Sequence, residues 1–144
     1  MKKKKFSLSK NSLANLEGVK EEIIELIKRS IKKVSHDFGI PSDGGWRSKQ
    51  DQYRLFMKVP AVTKLDGITN LSRHQSGEAF DIFVYDEHGA CWKCKFKYKE
   101  IADVIKEEFK LMKEEGIFNE GDSIEWGGDW RWIDLPHFQI NYKK

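Results

Sequence analysis

The segment AFDIFVYD, residues 79–86, constrains the fold more than any other part of this sequence. Its aromatic and β-branched residues predict a largely buried strand, and the turn sequence DEHG follows it directly. Asp81 is the exception, because it places a carboxylate inside the apolar run. A buried carboxylate is costly unless a cation or hydrogen bonds satisfy it. The fold therefore has to supply a partner for Asp81.

Three segments predict helices. Apolar residues recur at spacings of three and four over 13–34 and over 98–115, and Gly116 is expected to end the second of these helices. A further helix is predicted within 45–58, with Ser48 as its N-cap. One side of that helix is expected to carry its large apolar side chains, which are Tyr53, Phe56 and Met57.

Three more segments have the character of strands. Residues 90–98 are expected to pair with the first strand as a hairpin, and 123–126 predict a short strand. The segment HFQINY alternates polar and apolar residues, so its polar side chains should share one face: His137, Gln139 and Asn141. Because helices and strands occur in separate groups with hairpins, the predicted fold class is α+β, with a small, mostly antiparallel sheet flanked by helices.

The chain has 144 residues, of which 39% are hydrophobic, and this fits one ordinary domain over 1–144. Residues 1–12 are expected to be a flexible basic tail, although their lysines could also tether the protein to an anionic surface. The sequence has no run of about 18 apolar residues, so stable membrane insertion is not expected. The lysines precede no apolar segment, which is unlike a secretory signal. A net charge of +3 without a nucleic-acid-binding motif gives no reason to expect nucleic acid.

Cys91 and Cys94 form a single CxxC pair. A structural zinc site needs four ligands, and only His88 offers itself as a third. A redox motif would require a strand-to-helix setting, which is not predicted here. We therefore expect two ordinary thiols in a reducing cytosol, dispensable for catalysis.

Two histidines can join Asp81 in a metal site. His74 precedes the first predicted strand, and His137 opens the last one. Two imidazoles and one carboxylate are a ligand set that zinc accepts, with a fourth position left for water. The spacing alone leaves open ordinary hydrogen-bonded side chains, because these residues do not form a tight local signature such as HExxH.

Asp134 lies three residues before His137, in the sequence DLPH. Pro136 restricts the preceding residue to extended backbone and interrupts regular strand pairing, so Asp134 is expected on a turn that can curl back over the metal. There it could act as a general base towards water and then protonate a leaving amine.

Other residues near these motifs have two interpretations each. Gly77 is either required for the turn between His74 and Asp81 or is an ordinary turn glycine. Glu125 and Asp129 could support the ligand histidines, but we favour solvated loop acids. Large aromatic side chains fill cores or line a groove, and at least one of three is expected to be structural: Trp126, Trp130 and Trp132.

Three ordered motifs resemble a known family. SRHQSGEAFD is similar to the SxHxxGxAxD motif of the clan of zinc D,D-carboxypeptidases and L,D-endopeptidases. WGGDWRWIDLPHFQI resembles the C-terminal motif of the phage-type L-alanyl-D-glutamate endopeptidases in that clan. LEGV and SHDFGIPSDGGWRSKQDQ resemble the N-terminal half of the same endolysins, so the resemblance covers about 16–140.

The resemblance implies a Hedgehog/D,D-peptidase-like fold and assigns roles to residues. It implies a zinc site with three protein ligands, namely His74, Asp81 and His137. It implies that Asp134 is the catalytic base. It also implies that Arg47 steadies a substrate carboxylate or the developing oxyanion, and that Gln50 and Ser72 are polar contacts to the substrate. The Cys91/Cys94 segment has no counterpart in the family pattern.

The function implied is that of a monomeric, zinc-dependent peptidoglycan endopeptidase that cleaves the stem peptide at the L-Ala–D-Glu bond. Such an endolysin, from a phage or prophage, would be made in the host cytoplasm and reach the wall after membrane permeabilisation. A D-alanyl-D-alanine carboxypeptidase is the first alternative, although its acid is usually a Glu closer to the last His. A non-catalytic wall-binding module is the second, and it would be expected to have lost a ligand or the base.

Overall fold

The computed structural model describes residues 5–58 and 63–143, and all statements on structure refer to these. The helices are α1 (Lys10–Asn15), α2 (Glu21–Ile31), α3 (Lys49–Phe56) and α4 (Lys95–Glu114), with a 3-10 turn at Gly127–Asp129. The strands are β1 (Phe38–Gly39), β2 (Ala79–Asp81), β3 (Phe83–Asp86), β4 (Gly89–Cys91), β5 (Ser123–Trp126) and β6 (His137–Asn141). The strands form two antiparallel sheets, ordered β1–β3–β4 and β2–β6–β5. The α+β class is confirmed, with two small sheets in place of one.

The prediction of one helix over 13–34 is wrong, because α1 and α2 are separate helices. Gly18 lies between them with a φ of +92°, a left-handed conformation that an α-helix cannot continue through. The apolar spacing nevertheless runs across the break, because Leu16 and Val19 are buried from the connecting turn itself. Periodicity alone therefore could not reveal the interruption.

The flexible basic tail predicted over 1–12 is too long, because its last residues belong to the folded part of the protein. Ser9 caps α1, and its hydroxyl accepts a hydrogen bond from the N–H of Ser12. Ser12 is itself buried, and its hydroxyl accepts a hydrogen bond from the N–H of Ile40. The first turn of α1 is thus tied to the rest of the protein, while residues 1–4 lie outside the described part.

Helix α3 is confirmed, and so is its cap, because the Ser48 hydroxyl accepts a hydrogen bond from an N–H in the first turn. The expected buried face is wrong. Gln52 and Leu55 are the buried side chains of this helix. The side chains expected on the apolar side are exposed or only half-buried, and they are Tyr53, Phe56 and Met57.

The predicted strand over 79–86 is divided at Ile82 between the two sheets. Before Ile82, β2 pairs with β6, and after it, β3 pairs with β1. At the junction, the N–H of Ile82 donates to the carbonyl of Pro136. The predicted hairpin partner over 90–98 is also shorter than expected, since β4 ends at Cys91 and α4 begins at Lys95. A local pattern of apolar residues does not show such a change of sheet.

The core lies between the helix pair α2 and α4 and the sheet β2–β6–β5. Fully buried side chains from both helices meet there, among them Ile23, Ile27, Ile101, Ile105 and Met112. From the sheet, the rings of Phe80 and Phe138 stack with centroids 5.1 Å apart. The alternation predicted for the last strand is confirmed: Phe138 and Ile140 are buried, which leaves the opposite face of β6 for polar side chains.

Cys91 and Cys94 form a disulfide, with their Cα atoms 5.8 Å apart. The expectation of two free thiols is therefore wrong. Cys91 ends β4 and Cys94 is the N-cap of α4, so the pair does occupy a strand-to-helix connection that the sequence did not predict. The described helices include none that is long and apolar enough to cross a membrane.

Candidate metal centre and active site

Two of the three predicted ligands are direct neighbours across a strand pair. Asp81 ends β2 and His137 begins β6, and the antiparallel register places the two residues opposite each other. The N–H of Asp81 donates to the carbonyl of Gly44 at 2.7 Å, which fixes the end of β2 against the loop before α3. The backbone therefore holds both side chains at one end of the sheet.

His74 reaches the same place from a tight turn before β2. Gly77 has a φ of +72°, and a Cβ added there would lie 2.5 Å from the carbonyl oxygen of Gly18. This position thus needs glycine for two reasons, its left-handed backbone and its close approach to another chain segment. Of the two interpretations that the sequence left open for Gly77, the structure favours the one in which the turn requires glycine.

The three ligand atoms form a nearly equilateral triangle. His74 Nε2 lies 3.3 Å from His137 Nδ1, and Asp81 Oδ1 lies 3.3 Å from the former and 3.2 Å from the latter. A tetrahedral zinc ion with metal–ligand bonds of about 2.0–2.1 Å separates its ligands by about 3.3–3.4 Å. The residues therefore fit a tetrahedral metal ion that keeps its fourth position open.

In each imidazole, the nitrogen that points away from the site makes a hydrogen bond that determines the tautomer. His74 Nδ1 lies 2.9 Å from the carbonyl of Gly45, which can only accept a hydrogen bond, so Nδ1 carries the proton. His137 Nε2 lies 2.9 Å from the amide oxygen of Gln139, which is likewise an acceptor. Two imidazole lone pairs thus converge with a carboxylate oxygen, an arrangement that favours a cation at their centre.

Asp81 is ionised in this environment. Burial alone would raise the pKa of the Asp81 carboxyl, but the adjacent imidazoles of His74 and His137 lower it well below its usual range. The second carboxylate oxygen, Oδ2, accepts a hydrogen bond of 3.0 Å from Arg47 Nη2. One oxygen of Asp81 therefore has a guanidinium partner, and the other, Oδ1, faces the two histidines.

Arg47 is itself held on several sides. Its Nε donates to the carbonyl of Asp43 at 2.7 Å and its Nη1 donates to Gln52 Oε1 at 3.1 Å. Its backbone N–H also donates to the carbonyl of His74. Arg47 is buried and thereby connects α3 to two of the ligands, a role that the sequence did not predict.

Asp134 lies on the predicted turn. Its N–H donates to the carbonyl of Gly127, and its own carbonyl accepts from the N–H of His137. A Cβ added at Gly127 would lie 2.2 Å from the Asp134 carbonyl oxygen, so this glycine gives the turn its room. Desolvation and the negative charge of Asp81 raise the pKa of the Asp134 carboxyl above its usual value.

A cavity of about 1080 Å³ joins these groups. Its wall contains all three ligands together with Asp134 and Arg47. Further around the wall lie three basic side chains, which are Lys58, Lys64 and Arg73. Apolar surface comes from several exposed side chains, among them Leu71, Trp92, Trp132 and Ile133.

The predicted substrate contacts divide into two cases. Ser72 is buried, lines the cavity and accepts a hydrogen bond from the N–H of His74. Gln50 is exposed on α3 and is not among the described residues that line the cavity. Gln52, two residues further on, is the fully buried glutamine that contacts Arg47, and the sequence analysis missed it.

The tryptophans also divide. Trp126 is buried and donates to the carbonyl of Leu135, so it is structural, as expected for at least one of the three. Trp130 and Trp132 line the cavity, and the Trp130 ring lies 5.1 Å from the His137 ring.

The two loop acids differ as well. Asp129 is paired with Lys106 at the surface. Glu125 was expected to be solvated, which is wrong, because it accepts hydrogen bonds from Gln139, Asn141 and Trp130.

Comparison with known proteins gives a family match and a structural match. The family model described as phage L-alanyl-D-glutamate peptidase matches residues 4–140. The crystal structure of the Serratia marcescens L-Ala D-Glu endopeptidase ChiX superposes with a TM-score of 0.74 at 24% sequence identity, covering 95% of this chain and 91% of that one. At this identity the superposition supports the fold. No curated protein sequence matches the chain.

Proposed function

Because this chain belongs to the phage L-alanyl-D-glutamate peptidase family, we propose that it is a metal-dependent peptidoglycan endopeptidase that cleaves the stem peptide between L-Ala and D-Glu. The observation that carries the proposal is the convergence of His74, Asp81 and His137 on one point in a large cavity. Neither a ligand nor the candidate base is lost, so a binding module without activity is disfavoured.

Zinc is the metal we propose for the site. Imidazole and carboxylate ligands in a tetrahedral arrangement with one open position are typical of catalytic zinc. Such an ion supplies Lewis acidity, which makes a water acidic enough to ionise near neutral pH and polarises a substrate carbonyl. His74, Asp81 and His137 would hold it, and their remaining hydrogen bonds keep their orientation fixed.

Asp134 is the group we propose as general base. Its carboxylate lies in the cavity wall and accepts no hydrogen bond from any residue in the described ranges, so it is free to interact with a water or a substrate. A carboxyl whose pKa is raised holds a proton more readily than an ordinary aspartate. Asp134 would take a proton from the attacking water and then deliver it to the amine of D-Glu as the peptide bond breaks.

The basic side chains of the cavity suit an anionic stem peptide. D-Glu carries a free carboxylate next to the scissile bond, and Lys58, Lys64 and Arg73 lie on the cavity wall to meet such charges. Arg47 uses three of its five N–H groups within the protein. Its remaining N–H groups are the donors we assign to a substrate carboxylate or developing oxyanion, with Ser72 as a polar neighbour.

We further propose that the protein acts as a monomeric endolysin. It would be synthesised in the cytoplasm of the host and would reach the wall once another factor has permeabilised the membrane.

Mass spectrometry of purified peptidoglycan after digestion tests the proposed bond directly. Cleavage at L-Ala–D-Glu releases peptides that begin with D-Glu and leaves L-Ala on the muramic acid, and a chelator should abolish both products. Loss of only the terminal D-Ala from pentapeptide stems would instead identify a D-alanyl-D-alanine carboxypeptidase. Muropeptides that bind but remain intact would identify a wall-binding module.

A further inference from the structure

The polar face of β6 continues beyond the metal ligand. His137, Gln139 and Asn141 alternate along the strand and share this face. On the neighbouring strand β5, Glu125 is the residue directly opposite Gln139. Glu125 therefore lies on the same face of the sheet as His137, opposite the residue two positions after this proposed ligand.

A continuous set of hydrogen bonds joins these side chains. Gln139 Oε1 lies 2.9 Å from His137 Nε2, and Gln139 Nε2 donates to Glu125 Oε2 at 3.0 Å. Glu125 is held in turn, because Asn141 Nδ2 donates to Oε2 and Trp130 Nε1 donates to Oε1 at 3.2 Å. The hydrogen bond from Asn141, followed by those from Trp130 and Gln139, lowers the pKa of the Glu125 carboxyl, which keeps it ionised.

The direction of this set follows from donor and acceptor chemistry. An ionised carboxylate accepts hydrogen bonds only, so the NH₂ end of the Gln139 amide has to face Glu125. The amide oxygen then has to face His137, and it requires a proton on Nε2. Nδ1 is thereby left with its lone pair directed at the other two ligands.

We propose that Glu125 is a positioning residue, which acts through the Gln139 amide to select the metal-binding tautomer of His137. An amide cannot take up the imidazole proton as a directly bonded carboxylate can, so the arrangement orients the ring and leaves its proton in place. The inference rests on the metal site of the proposed function, and it is independent of which peptide bond is cut.

The test uses Glu125→Gln, which keeps the size of the side chain and removes the obligate acceptor. A neutral amide at 125 can donate to Gln139, so the Gln139 amide is free to flip and present its NH₂ to His137. We expect metal-free protein to shift His137 towards the tautomer protonated at Nδ1, observed from the ¹⁵N shifts of the ring at a pH where both imidazoles are neutral. Zinc affinity, measured by competition with a chromogenic chelator, should fall by about 10–100-fold.

Two controls accompany this variant. His74 is an internal control, because its tautomer depends on the Gly45 carbonyl and should not change. Asp129→Asn is the matched variant, since it neutralises a surface acid that is paired with Lys106 and outside the set. Both its ring tautomers and its zinc affinity should equal those of the wild type.

Exchanging the two side chains supplies the rescue. In the Glu125→Gln, Gln139→Glu double variant, an acceptor again faces His137 Nε2, and the amide at 125 donates to it. We expect the wild-type tautomer to return and zinc affinity to recover to within about fivefold of the wild type, with the 10–100-fold loss of the single variant as the reference. A purely structural role for Glu125 would not be restored by this exchange.

An unchanged His137 tautomer in folded Glu125→Gln, with zinc affinity within about twofold of the wild type, would overturn the proposal. Should that variant fail to fold, Gln139→Met replaces it, because it removes both the donor and the acceptor of the amide. The same shift of the His137 tautomer and the same fall in zinc affinity are expected, and their absence would equally overturn the proposal. Because the readouts are ring shifts and zinc binding, failure to cleave peptidoglycan would count against the proposed function and leave this inference standing.

Discussion

Replacing Asp134 by Asn separates the proposed base from the metal site. The substitution keeps the volume and one oxygen but removes the basicity. The turn is held by backbone hydrogen bonds of Asp134 to Gly127 and His137, which the new side chain does not affect. The zinc content should therefore be unchanged. The free energy of unfolding should change by less than about 0.5 kcal/mol, as is usual where no buried contact is lost.

The rate should respond far more strongly. A positioned general base contributes about 10²–10⁴-fold, which corresponds to about 2.7–5.4 kcal/mol of activation free energy. The effect should appear in kcat, because the Asp134 side chain takes no part in the hydrogen bonds that hold the candidate ligands. KM should change little or decrease slightly, since a negative charge is removed from a cavity that receives an anionic peptide.

The assay is steady-state cleavage of a soluble muropeptide, with zinc content and denaturant unfolding measured on the same preparations. Asp129→Asn again serves as the matched control, and it should retain the wild-type kcat. Loss of zinc from Asp134→Asn would show that Asp134 is a ligand. A kcat within about threefold of the wild type would refute its assignment as the base, given the 10²–10⁴-fold usually measured.

Three further substitutions test the surroundings of the site. Gly77→Ala should lower the free energy of unfolding by about 2 kcal/mol or more, because its φ of +72° is strained for alanine and its Cβ meets a carbonyl; an unchanged denaturation midpoint would contradict this. Arg47 donates three side-chain hydrogen bonds, one of them to Asp81, and Arg47→Lys can keep at most one of the three. This substitution should lower the free energy of unfolding by about 2–4 kcal/mol in the same assay; a decrease below about 0.5 kcal/mol would show that these bonds contribute little to stability. Cys91→Ser, Cys94→Ser should retain kcat while losing up to about 2 kcal/mol of stability from a short disulfide loop; a large fall in kcat would show that the pair serves catalysis.

The parts of the fold that sequence predicts well are those whose pattern is complete within one segment. The alternation of β6 places His137 and Phe138 on opposite faces, and the structure agrees. The three candidate ligands could be proposed from the sequence because metal chemistry restricts the residue types and the motifs supply their order, and the structure brings these three side chains together. Their convergence could not be derived from spacing, since it depends on the register of β2 against β6.

What the sequence did not show are contacts between segments that are distant in the chain. The Gly45 carbonyl is 29 positions from His74, and Glu125 is 14 from Gln139, so no local pattern joins either pair. The change of sheet at Ile82 is similar, because it depends on a hydrogen bond to the carbonyl of Pro136. Partners this distant in the chain, whether backbone carbonyls or side chains, leave no local sequence pattern, and they become apparent only in the folded structure.

The most direct test of the metal centre is the zinc content of the purified protein, measured by inductively coupled plasma mass spectrometry against the His74→Ala, His137→Ala double variant. The proposed site predicts one equivalent of zinc per chain in the wild type. It predicts almost none in the double variant, which keeps only Asp81 of the three ligands. Undiminished zinc in a folded double variant would contradict the assignment of these residues as the metal centre.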